Sequence, residues 1–149
     1  MDLYPWLKLL HILLAIVAVG FNISYGIWLT RASRQPQQLG FALRGIKFLD
    51  DRVANPSYAG LGVVGIVLVL MQWSFTTPWI LAAIALYLIM MVVGIVLYSP
   101  TLSRQIAVYE ANGPDAPEFA ALSQRGRVLG ILLGVIAVAI IILMVVKPG

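Results

Sequence analysis

Long apolar runs, separated by short polar or basic stretches, set the pattern of this chain. The first run, from about Leu9 to Leu29, carries no charge after Lys8 and is stopped by Arg31 and Arg34. It predicts a membrane span from about Pro5 to Leu29. No charged residue occurs between Arg52 and Arg104. A crossing needs only about 20 residues, so that stretch is too long for one. The polar segment from Gln72 to Pro78 divides it, which predicts a hairpin of two spans, about Val53–Trp73 and Trp79–Tyr98. A last apolar run predicts a fourth span from about Val128 to Val146, closed by Lys147-Pro148-Gly149. The expected fold is all-α: one polytopic domain over residues 1–149, a four-helix transmembrane bundle with loops at 30–52 and 99–127.

The basic residues orient this bundle. The first loop holds Arg31, Arg34, Arg44, Lys47 and Arg52, the third holds Arg104, Arg125 and Arg127, and the hairpin holds none. The positive-inside rule then makes loops one and three cytoplasmic and puts both termini outside. Tyr4, Trp6, Trp73 and Trp79 are expected at the outer interface, and Tyr25, Trp28, Tyr58 and Tyr98 at the inner one. Leu39, Ala42, Leu43, Ile46 and Leu49 recur at helical spacing, which predicts a short interfacial helix before the second span. Asp115 and Glu118 resemble a capping box, and Pro117 suits a first helical turn, so the fourth helix is expected to begin well before the membrane.

Composition agrees with this class. Hydrophobic residues make up 61% and charged residues 11% of the 149 residues, against about 25% charged in soluble domains. The N-terminal run is longer than the apolar core of a signal peptide and follows no basic segment, so it is expected to be retained as a span. With no cysteine, the chain has no disulfides, thiolate metal sites or cysteine nucleophiles. The net charge of +4 is concentrated in two loops, which points to membrane orientation and away from nucleic acid. No metalloprotease, P-loop or dinucleotide motif is present. Ser57, Ser99 and Ser103 lack a histidine at matching depth, and no carboxylate is expected inside a span. An enzyme is therefore the less favoured reading.

Three features could carry chemistry. His11, the one histidine, shares a helix face with Ala15, Ala18, Asn22 and Tyr25, a polar and small stripe that should face protein. A neutral imidazole there could ligate a metal, including a tetrapyrrole's, or could be a packed histidine bonded to another helix. Met144, Lys147 and Met71 are at depths that could supply a second ligand. Gly126, Gly130, Gly134 and Ala137 form a small face on the fourth helix, with Gly62 and Gly65 on the second and Gly20 and Ser24 on the first. Such faces admit close helix packing, inside the bundle or against a partner. Asp50, Asp51, Arg52, Asn55 and Pro56 form the entry to the second span, expected to be a solvated, capped helix start.

Leu9-Leu10-His11-Ile12 with Gly20, the entry from Asp51 to Asn55-Pro56, and the closing Met144-Val145-Val146-Lys147-Pro148 resemble a bacterial family of predicted four-helix integral membrane proteins. That family is distantly similar to HemJ-type protoporphyrinogen oxidases and CopD-type membrane proteins. The resemblance implies a haem b or other tetrapyrrole role for His11 and Lys147. Ala18-Val19-Gly20-Phe21-Asn22 replaces the aromatic-rich stretch of the HemJ-type group, which puts the oxidase activity in question. The expected function is a small accessory or binding protein of the bacterial inner membrane, partnered by lipid and by other subunits or a second copy, for example in a respiratory or photosynthetic assembly. The alternative is a haem-binding protein that uses His11 for electron transfer or porphyrin oxidation.

Overall fold

The structure is a computed structural model describing residues 2–149, and every regular element among them is helical. Helix α1 spans Tyr4–Ala32 and has Pro5 in its first turn, where the missing N–H costs no hydrogen bond. Its 29 residues reach about 44 Å at about 1.5 Å per residue, longer than the roughly 30 Å hydrocarbon core. Ala18, Tyr25 and Ala32, two turns apart, are its buried seam. After a tight turn come α2 (Pro36–Leu49), a π-helical turn (Asp50–Ala54) and α3 (Asn55–Gln72). Helix α4 (Pro78–Val92) passes through a second π-helical turn (Val93–Tyr98) into α5 (Ser99–Asn112). Gly113, at φ 79°, makes the reversal that precedes α6 (Pro117–Val146).

Four helical stretches are long and apolar enough to cross a membrane, built on α1, α3, α4 and α6. Helix α1 packs on α3 and α6, and α6 packs on α4. Tyr87 of α4 closes the ring by donating to the Tyr58 carbonyl of α3 at 2.8 Å, over the bare face of Gly62. Beyond one end of this bundle, α2, α5 and the first turns of α6 form a helical cap, with α2 held between α1 and α5. Most Lys and Arg residues lie at this end, called the basic end below. At the opposite end Lys147 closes α6 in a left-handed conformation. Its Nζ lies 4.7 Å from the Trp73 ring centre and 5.7 Å from that of Trp79. Trp73 and Trp79 meet edge to face, and Trp73 Nε1 donates to the Tyr4 hydroxyl at 3.4 Å. This knot ties the helical hairpin to both ends of the chain.

The structure departs from the sequence pattern in four places. The apolar stripe of α2 does not lie on a membrane surface: Leu39, Leu43 and Ile46 are buried, because α5 supplies an apolar partner that a loop would not have. The capping box does not form. Ala116 is the cap residue, so Glu118 falls at the second helical position and not the third that a capping box needs, and its carboxylate instead accepts from Arg104 Nε and Nη2 at 2.8 and 2.5 Å. Tyr25, Tyr58, Tyr98 and Trp79 are turned into the protein rather than forming interfacial belts. Asp50 is also turned inward, and that changes the reading of the whole basic end.

Candidate functional site

Asp50 is 4% exposed and Asp51 beside it is exposed. The difference follows from helical register. Leu39, Leu43, Ile46 and Asp50 fall four, three and four residues apart, so Asp50 extends the buried stripe of α2 while Asp51 lies off it. Both hydrogen bonds that Asp50 receives go to Oδ2, from Ser99 Oγ at 3.0 Å and Asn55 Nδ2 at 3.4 Å. Among the described residues none donates to Oδ1. Lys47 does not form an ion pair with Asp50. Its ammonium pairs with Asp51 at 2.6 Å and reaches Asp50 only through the Ser99 hydroxyl, to which it donates at 3.2 Å.

A small chamber of mixed polar and apolar lining adjoins this carboxylate. Asn22 of α1, Asp50, Asn55 and Tyr58 at the head of α3, and Tyr98 at the end of the second π turn line a cavity of about 20 Å³, closed by Met90, Gly94 and Leu133. That volume suits one water-sized occupant. Asn22 Nδ2 donates to the Tyr58 hydroxyl at 2.5 Å, and that hydroxyl donates onward to the Ala18 carbonyl at 3.4 Å. The Tyr25 hydroxyl is buried and has no hydrogen-bond partner among the described residues. Two π-helical turns flank the chamber. Such turns add a residue to the helix and are frequent at functional sites.

The residues singled out by sequence lie elsewhere. His11 sits at the seam of α1 and α3, its ring against the bare face of Gly65. Nδ1 is buried and makes no hydrogen bond among the described residues. Lys147 occupies the tryptophan knot. Gly65 and Trp73 are separated by about 12 Å along α3 at about 1.5 Å per residue. Met144 is one turn before Lys147 on α6, which packs on α1, α4 and α5 rather than on α3. His11 thus lies beside Gly65 and Lys147 beside Trp73, at different levels of the bundle. On α6, Gly126 is near Gln105, Gly130 is near Tyr98, Gly134 has open space beyond it and Ala137 is buried. Gly20 faces outward in an open groove with Ile16, Val17, Phe21 and Ser24.

The match that decides the family covers residues 5–148, almost the whole chain, against the description "Predicted integral membrane protein (DUF2269)". The chain belongs to that family. As an integral membrane protein it has a bilayer around α1, α3, α4 and α6, which accounts for their apolar outward faces. No curated protein and no solved structure matches the chain. The chamber was missed by a sequence reading that took Asp50 and Asp51 as one solvated pair. The signal was available in the register of Leu39, Leu43, Ile46 and Asp50.

Proposed function

We propose that the protein is a non-catalytic membrane binding protein, an accessory component whose working centre is the chamber around Asp50. The observation that carries this reading is a buried carboxylate in no ion pair, where the membrane helices meet the helical cap. Ionisable groups in that setting are costly and are kept where they serve a function. No nucleophile with an adjacent base lines the chamber, so binding is favoured over catalysis. The outward groove at Gly20 and Ser24 supports lateral association with a helix of another subunit or a second copy. The basic residues of the helical cap support an orientation with that end in the cytoplasm and both termini outside, in the inner membrane of a bacterium.

Asp50→Asn tests the reading. In detergent and choline-based buffer at mildly alkaline pH, the variant should unfold at a higher temperature than the parent chain. A site kept for binding holds strain that a neutral isostere removes. A lower or unchanged midpoint would assign Asp50 to structural support.

A second reading is favoured by one observation at His11. A buried imidazole with no hydrogen bond at Nδ1 has ring nitrogen lone-pair capacity uncommitted to the protein, which a metal could use. Haem b or another tetrapyrrole would then be held from one chain by His11 without Met144 or Lys147. Oxidised and dithionite-reduced absorption spectra of the purified protein test it. A Soret band that His11→Ala removes supports ligation, and a colourless protein after haem is supplied rules it out.

A further inference from the structure

We infer that the chamber holds a monovalent metal cation of sodium's size, bound by the free oxygen of Asp50. The inference rests on the chamber being the working centre and adds the identity of its ligand.

Charge gives the first argument. Lys47 is the nearest cation, and its charge is already matched by Asp51 at 2.6 Å. Arg44 and Arg104 are paired in the helical cap with Glu110 and Glu118. None of the ion pairs among the described residues includes Asp50. An unpaired buried carboxylate is severely penalised, so it must take up either a proton or a counter-ion.

The geometry points to the ion. A proton needs a single acceptor, whereas several oxygens surround this cavity. Asp50 Oδ1 accepts no bond from a described residue, since both donors use Oδ2. Asn22 and Asn55 donate amide N–H groups to Tyr58 and Asp50, and both residues line the cavity, so their amide oxygens are the groups left to meet a cation there. Tyr98 lines the same wall. Carboxylate, amide and hydroxyl oxygens form a hard donor set suited to hard cations. The about 20 Å³ cavity takes one small ion or one water. The single negative charge selects a monovalent ion, because no group of three acidic or histidine side chains that could hold a metal occurs among the described residues.

The test is thermal unfolding of the full chain in detergent, followed by tryptophan fluorescence, at constant ionic strength with choline replaced stepwise by sodium. The midpoint of the parent chain should rise steadily with sodium concentration, as it does for any ligand that binds only the folded state, and should rise less with potassium. Asp50→Asn should remove the dependence. Should that variant fail to fold, Asn22→Leu fills the wall of the same cavity and gives the same comparison. Broadening of the sodium-23 resonance by the parent protein reads binding directly. A midpoint indifferent to sodium, with no broadening, would overturn the inference and leave water in the cavity. Sodium dependence that persists in Asp50→Asn would also overturn it, as would calcium acting at far lower concentration. If Asp50→Asn is stabilised in choline but sodium has no effect, the chamber remains the working centre and only the ligand is wrong. If Asp50→Asn is not stabilised and sodium has no effect, both readings fail.

Discussion

At the scale of single residues, Asp50 and Asp51 show how far one step of helical register can change a side chain's role. Asp51 is a partly exposed partner for Lys47 one turn away, an arrangement worth a few tenths of a kcal/mol at most. Asp50 is buried, hydrogen-bonded and without an ion pair. For Asp50→Asn the expected gain is about 0.5–2 kcal/mol, the usual return from relaxing a functional site. The same change at Asp51 should move stability by less than about 0.5 kcal/mol, as for an ordinary surface position. Paired unfolding curves of the two variants check the sign and the contrast together. Sequence made the face of α1 bearing His11, Ala18, Asn22 and Tyr25 legible, because helical periodicity needs no partner to be read. It did not make the unpartnered Tyr25 hydroxyl or the spare oxygen of Asp50 legible. Those depend on side chains from α3 and α5, whose approach is a tertiary fact.

At the scale of elements, the helical cap is the main addition to what the apolar runs convey. The membrane helices follow from lengths of uncharged sequence, which a bilayer enforces directly. The connections carry only weak local signals, and their structure is decided by packing. Leu43 is completely buried between α2 and its neighbours. Replacing a fully buried leucine by alanine costs about 2–5 kcal/mol. Leu43→Ala should therefore loosen α2 from α5 while the membrane helices persist. Limited trypsin digestion at Arg44 and Lys47 should become rapid, with far-ultraviolet circular dichroism little changed. Cleavage at the parental rate would show that α2 is not held by this contact. The two π-helical turns belong to this scale too. Each stands where a membrane helix joins a cap helix, and together they set the register that brings Asp50 and Tyr98 to one chamber and Ser99 to the Asp50 carboxylate.

At the scale of the whole molecule, the two ends of the bundle differ in kind. One end is closed by a knot of Tyr4, Trp73, Trp79 and Lys147, where a cation rests on aromatic rings. The other widens into a cap, with the chamber beside Asp50 beneath it. The account stands or falls on Asp50 pointing into that chamber. The absence of native cysteine makes a direct measurement possible: the rate at which a bulky, water-soluble maleimide labels Asp50→Cys and Asp51→Cys, each introduced singly. The account predicts rapid labelling at position 51 and strongly suppressed labelling at position 50, with both thiols reacting alike after denaturation. Equal rates in the folded protein would put Asp50 in water at a solvated helix start and contradict the chamber.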